Sequence, residues 1–284
     1  MRPPESLYHQ NIDQDDSRSA SFINRCNLPP WVIGDEEFQA SPRPIEIDGV
    51  QNTDGRFFRR LEGVDDPDER GRLFHDYICV KFGLTEWADH QPDGKPQSAY
   101  SYVHLLRAWG ADSNGHAGAV LKAWVESRFG LLTTYHNGRL AEDAAAREGF
   151  TLDRMRGAAK TIGVLMQLDL LYTYCQFELS RRLPNARWAT LYRGTHDPEE
   201  YTVRSRSING EGRSKRIALV QLNNLSSFTS DPEVVWEFGS SAWEVEVPLS
   251  KIVFFSELLP KSFLNGECEY LVLGGHYKVR TLIY

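Results

Sequence analysis

The stretch Leu183-Pro184-Asn185-Ala186-Arg187-Trp188-Ala189-Thr190-Leu191-Tyr192-Arg193-Gly194 marks where the chain changes its hydrophobic period. Pro184 lacks the amide hydrogen a helix interior needs, so a helix running into it must stop. Beyond it, apolar residues come in short β-branched and aromatic runs, at 189–193, 217–222, 242–247, 252–255, 269–273 and 277–283. Turn formers separate these runs: Asn209-Gly210-Glu211-Gly212, Asp231-Pro232, Asn265-Gly266 and Gly274-Gly275. The last pair reads as a tight hairpin turn.

Upstream of Pro184 the period is helical. Residues 152–182 carry Met155, Ile162, Leu165, Leu168, Leu171, Cys175 and Leu179, which predicts one long helix or two, broken near Gly157 or Gly163. The stripe Tyr172, Tyr174 and Phe177 belongs to a core face rather than a cofactor box. Residues 114–130 place Val120, Leu121, Trp124 and Val125 at helical spacing, with Gly130 at the C-cap. A short helix is predicted over 141–148. From Asn27 to Gly49, four prolines and two aromatics read as an irregular wrap anchored by Trp31 and Phe38. The predicted architecture is α+β: a flexible tail over 1–20, a mainly helical region over 21–185, and a β-rich region over 186–284 packed against it.

Composition narrows the function. The sequence has 284 residues, 41% hydrophobic and 25% charged, enough for a core that needs no staples. A net charge of -7 argues against binding nucleic acid through a basic surface and favours a basic target. Cys26, Cys79, Cys175 and Cys268 form no C-x-x-C pair, and the histidines form no H-E-x-x-H pair, so no metal site or disulfide framework is expected. The N-terminal residues are polar, without the apolar core of a signal peptide. The longest apolar stretch, 162–175, is interrupted by Gln167 and Asp169 and falls short of the roughly 20 residues a membrane span needs. A cytoplasmic chain with reduced thiols is expected. No G-x-G-x-x-G or Walker pattern occurs, which disfavours an ordinary dehydrogenase or P-loop enzyme.

Three motifs in the β-rich half carry chemistry. Leu191-Tyr192-Arg193-Gly194 offers a forked cation beside a residue without a side chain, suited to a phosphate and a carboxamide. Ser226-Ser227-Phe228-Thr229-Ser230-Asp231-Pro232-Glu233-Val234 puts hydroxyls at a strand end, where they can position a carboxylate. Ser230 or Asp231 is the expected cap of the turn entered by Pro232. Ser227 is the preferred site serine, with Thr229 on the same strand face, and Ser230 remains an alternative. In Gly266-Glu267-Cys268-Glu269, a strand would project both carboxylates to one face, where they can share acid–base and charge-stabilising work. Singly, each motif also fits an ordinary strand end.

In this order, the three motifs resemble the R-S-E class of ADP-ribosyltransferases over about the last third of the chain. The match departs at Phe228, where that class has threonine in Ser-Thr-Ser. The N-terminal half is similar to the nitrogen-fixation branch, which acts on dinitrogenase reductase, through Asn27-Leu28-Pro29-Pro30-Trp31, Arg70-Gly71-Arg72-Leu73-Phe74-His75-Asp76-Tyr77 and Trp124-Val125-Glu126-Ser127-Arg128-Phe129-Gly130. The resemblance implies an NAD⁺-binding catalytic region on a split β core. It implies NAD⁺ as co-substrate, an arginine of the homodimeric nitrogenase iron protein as acceptor, and regulation by a PII-type signalling protein.

It also implies roles. Glu269 serves the ribose as positive charge develops there, as a carboxylate does in glycoside hydrolysis. Ser227 fixes the rotamer of Glu269. Arg193 grips the phosphates, with Tyr192, Gly194 and Thr229 beside the nucleotide. Glu267 binds the acceptor guanidinium, whose pKa above ~12 makes it a poor nucleophile, and takes its proton. Phe263, in the loop 256–266, either meets the acceptor or packs beneath that loop. The run Arg213-Ser214-Lys215-Arg216 is a solvated hairpin end or a phosphate contact. Hydrolysis of NAD⁺ by water and a non-catalytic interaction module are the competing readings.

Overall fold

Pro184 separates two kinds of structure. A computed structural model of the protein describes residues 21, 23–84, 101–159, 163–195, 200–208, 216–260 and 269–282. The predicted tail over 1–20, Glu267, Phe263 and most of the basic run at 213–216 lie outside the described residues. Among the described residues, eight helices precede Pro184 and six antiparallel strands follow it. The α+β reading of the sequence holds.

The helices are α1 (Pro30–Ile33), α2 (Glu36–Ala40), α3 (Val50–Glu62), α4 (Pro67–Phe82), α5 (Tyr102–Ala111), α6 (His116–Phe129), α7 (Ala144–Ala159) and α8 (Val164–Arg182). Their ends follow local chemistry. Asp66 caps α4 by accepting from Asp68 N, with Pro67 entering the first turn. Gly130, at φ 69°, closes α6 in the left-handed conformation, as predicted. The break in the long apolar stretch falls at Gly163, at φ 84°, while Gly157 sits inside α7. The short helix expected over 141–148 is the first part of α7.

In the N-terminal wrap, Phe38 is buried as predicted, whereas Trp31 is 59% exposed. Trp31 lies in a single helical turn whose buried residues are Pro30 and Ile33. With both of those inward, Trp31 is left on the outer side.

The strands are β1 (Trp188–Thr195), β2 (Tyr201–Ile208), β3 (Arg216–Thr229), β4 (Ser241–Pro248), β5 (Ile252–Phe255) and β6 (Glu269–Leu282), in the order β2-β3-β1-β4-β6-β5. β3 and β6 also pair directly, from Arg216↔Thr281 to Thr229↔Glu269. The sequence predicts a hairpin at Gly274-Gly275, but one continuous strand runs through it. There β3 carries the one extra residue of a bulge between Leu222 and Leu225, and Gly274 lies against the Asn223 carbonyl. The glycines admit a close backbone approach rather than a reversal of the chain.

The bulge ties the two halves together. Asn223 Oδ1 accepts from Thr134 N at 3.0 Å, and Asn224 Nδ2 donates to Lys122 O and Leu131 O. On the other side, Gln176 Nε2 of α8 donates to Ile252 O at 2.7 Å, and Tyr172 Oη donates to Ser250 O at 2.8 Å. Tyr172 and Tyr174 are fully buried, so that stripe is core. Helices and sheet share one continuous hydrophobic cluster. At ~25 cal/mol per Å² of buried apolar surface, this shared interior is the main force holding the halves in register.

Candidate active site

Strand pairing brings the sequence motifs together. Thr229 sits opposite Glu269, and Ser227 opposite Leu271. Ser227 is therefore two positions from Glu269's partner on the same face, a diagonal separation a glutamate side chain can cross. The Ser227 hydroxyl donates to Glu269 Oε1 at 2.9 Å. Arg193 arrives on β1, which meets the end of β3 at Tyr192↔Thr229. Its Nη1 donates to the Ser227 carbonyl at 2.8 Å. Arg193, Ser227 and Glu269 thus form one contiguous group from three strands.

Arg193 is largely buried, and its Nη2 pairs with Glu200 at 3.0 Å. Burial pulls its pKa down, and Glu200 opposes that pull. Its Nε is buried without a hydrogen-bond partner among the described residues. A buried donor with no acceptor is costly, so Arg193 Nε retains hydrogen-bonding capacity suited to an anionic oxygen. The cleft is a cavity of about 50 Å³ bounded by Trp109, Lys122, Arg193, Glu200 and Ser227. A whole dinucleotide needs several times that, roughly 300 Å³ or more. A larger groove of about 530 Å³ lies between residues 42–51, α8 and Leu249–Ser250. Tyr172 Oη, on its wall, is already bonded to backbone carbonyls, and none of the three motifs reaches it.

The remaining motif residues have structural partners. The Thr229 hydroxyl accepts from Asp231 N at 3.1 Å. Asp231 accepts from Glu233 N at 2.7 Å within the turn before the helical turn Val234–Phe238. The N-cap of that helical turn is Glu233, without a side-chain cap bond, so neither Ser230 nor Asp231 is its cap residue, and Ser230 is exposed. Gly194 lies under the turn formed by Val234–Phe238, and a side chain there would overlap Val235 O and Phe238. Tyr192 is half-buried on β1. Ser227, not Ser230, bonds the carboxylate.

Three neighbours of the cleft were not singled out in the sequence. Trp109 of α5 donates its indole N–H to Ser227 Oγ at 2.8 Å. Glu200 follows Arg193 by seven residues, beyond β1, with no motif to mark it. Lys122 of α6 donates to Asn114 Oδ1 at 2.8 Å and to Tyr135 O at 3.1 Å. Burial pulls its pKa down to about 7. Among the described residues, no group of three His, Cys, Asp or Glu could hold a metal, and no helix is long and apolar enough to cross a membrane.

No solved structure matches the chain. A protein of Rhodospirillum rubrum named NAD(+)–dinitrogen-reductase ADP-D-ribosyltransferase is 38% identical over 278 residues, covering 96% of this chain and 99% of that protein. The family model described as dinitrogenase reductase ADP-ribosyltransferase matches residues 23–281, helical half included. With three strands delivering Arg193, Ser227 and Glu269 to one cleft and this match running nearly end to end, the chain belongs to the dinitrogenase reductase ADP-ribosyltransferase family.

Proposed function

We propose that this protein transfers ADP-ribose from NAD⁺ to an arginine of dinitrogenase reductase, the nitrogenase iron protein, and releases nicotinamide. The observation that carries the reading is the Ser227–Glu269 hydrogen bond beside a buried Arg193 whose Nε faces no partner. Glu269, held by Ser227, stabilises positive charge on the ribose as the bond to nicotinamide breaks. Arg193 binds the phosphates, with Nε free to donate to them and Nη2 exchanging Glu200 for a phosphate oxygen. Tyr192, Gly194 and Thr229 shape the wall beside the nucleotide. Glu267, two residues before Glu269, receives the acceptor guanidinium and takes its proton, and Phe263 meets the acceptor surface. The acceptor homodimer and a PII-type regulator are partners in the cytoplasm, and the reaction uses NAD⁺ without a metal.

The experiment follows nicotinamide release and modification of purified dinitrogenase reductase in parallel. Glu269→Gln keeps the shape and removes the charge, so both activities should fall at least about 100-fold. Glu267→Gln leaves the sugar-facing carboxylate in place, so nicotinamide release should persist while transfer collapses. Near-normal release in a folded Glu269→Gln variant overturns the assignment. Equal loss of both activities in Glu267→Gln removes the division of labour. Release without any transfer by the wild type would make the protein an NAD⁺ glycohydrolase.

A further inference from the structure

The helical half contributes a side chain directly to the catalytic hydrogen-bond chain, and nothing in the R-S-E motifs accounts for it. Trp109 sits near the end of α5, whose buried residues Tyr102, Leu105, Leu106 and Trp109 fall at helical spacing against the core. The helix is fixed at its start, where Ser101 accepts from His104 N and Tyr102 N donates to Gln167 Oε1 at 3.0 Å. Trp109 itself is 4% exposed, and the Lys122 ammonium stands 5.8 Å from its ring centre. The adjacent Gly110 brings the α5 backbone against the carboxylate, since a Cβ there would lie 3.6 Å from Glu269 Oε2. Helix, ring and carboxylate therefore form one packed unit.

The chemistry of the donors fixes the direction of the chain. An indole N–H can only donate. Ser227 Oγ accepts it at 2.8 Å and lies 2.9 Å from Glu269 Oε1. With one lone pair taken by the indole, the hydroxyl's single proton is directed to the carboxylate. Without the indole, the hydroxyl can rotate to other acceptors and the carboxylate loses a fixed donor. We propose that Trp109 is a positioning residue for ADP-ribose transfer: its indole N–H orients the Ser227 hydroxyl, which in turn holds Glu269 in the rotamer that serves the ribose. This inference rests on the assignment of Glu269 to the sugar.

The test is a double-mutant cycle on the full-length protein, with NAD⁺ as the probe and nicotinamide release as the readout. Trp109→Phe removes the N–H and keeps an aromatic ring. In the wild-type background kcat should fall about tenfold, the scale of one hydrogen bond in a constrained site, with KM for NAD⁺ changed less than about twofold. In the Ser227→Ala background the same substitution should cost nothing further, because the group it orients is gone. A packing defect would instead lower activity equally in both backgrounds, and that additive result overturns the proposal. So does wild-type kcat in Trp109→Phe, or a rise in KM alone. Should Trp109→Phe fail to fold, Trp109→Met enters the same cycle, since its flexible side chain fills apolar space and carries no N–H. Glu269→Gln is run alongside. Persistent nicotinamide release in that variant fails the reading of the site, whereas its abolition together with an additive cycle fails only the role of Trp109.

Discussion

Arg193 shows how one side chain can be both scaffold and ligand. Nη1 is bonded to the Ser227 carbonyl, Nη2 to Glu200, and Nε is buried without a hydrogen-bond partner among the described residues. A lysine would keep the charge but could not brace β3 and present a second donor in a fixed plane. Arg193→Lys should therefore weaken NAD⁺ binding about tenfold or more by calorimetry, while the protein remains folded. Unchanged affinity would reduce Arg193 to a brace for the strand that carries Ser227. At this scale the sequence was informative, because strands project residues at known intervals. Position made Arg193, Ser227 and Glu269 candidates on strand ends, and the resemblance of the three motifs taken together gave them their expected roles. Glu200 was not, because its role depends on where the chain returns after β1 rather than on any local pattern.

Among the elements, the β3–β6 pair carries the most consequence, since it delivers Ser227 and Glu269 from opposite strands and clamps the helical half through Asn223 and Asn224. The bulge that makes this possible depends on Gly274. A methyl group there would run into the Asn223 carbonyl, which is backbone and cannot swing aside. Gly274→Ala should lower stability by about 3 kcal/mol in urea unfolding, the upper range for forced overpacking. A loss below about 0.5 kcal/mol would show that the strands slide apart easily at this point. The sequence misread this element for a definable reason. Two adjacent glycines are as characteristic of a tight turn as of a bulge, and only the partner strand distinguishes them. β2 escaped notice because Thr202, Arg204, Ser205, Arg206 and Ser207 give it little apolar content. α5 escaped for the opposite reason, being short and apolar on much of its surface, with no motif to mark Trp109.

Across the whole molecule, helices and sheet bury titratable groups whose pKa shifts combine into a definite pH dependence. Lys251 is fully buried, donates to Gly274 O at 3.0 Å and lies between Phe38 and Tyr277. Burial pulls its pKa, like that of Lys122, down to about 7. Between that value and the unfolded lysine value near ~10.4, the unfolded chain binds more protons than the folded one, so stability rises with pH across this window. Burial also lowers His75 and His136, so the unfolded chain takes up protons first as the medium acidifies, and stability falls on the acid side. Cys26, Cys79 and Cys175 are raised by burial, and Tyr77 is pushed up to about 12. These acids stay protonated in the folded state after they ionise in the unfolded one, so their contribution is lost as pH climbs past the unfolded values. The opposing slopes place the stability maximum at about pH 8–9, well above the isoelectric point of 5.7. Urea unfolding between pH 6 and 10 checks this, with the pH range set by the ~6.5 and ~10 reference values of histidine and tyrosine. Lys251→Met removes one group from the rising limb and should flatten it by up to about 1.4 kcal/mol per pH unit between pH 7 and 9. Above about pH 9 the decline should steepen up to the unfolded lysine value near ~10.4, because the thiols and phenols that cause it are still present while the opposing contribution of Lys251 is gone. A maximum at the isoelectric point, or an unchanged slope in Lys251→Met, would mean that the buried ammonium groups are held charged by their carbonyl and aromatic neighbours.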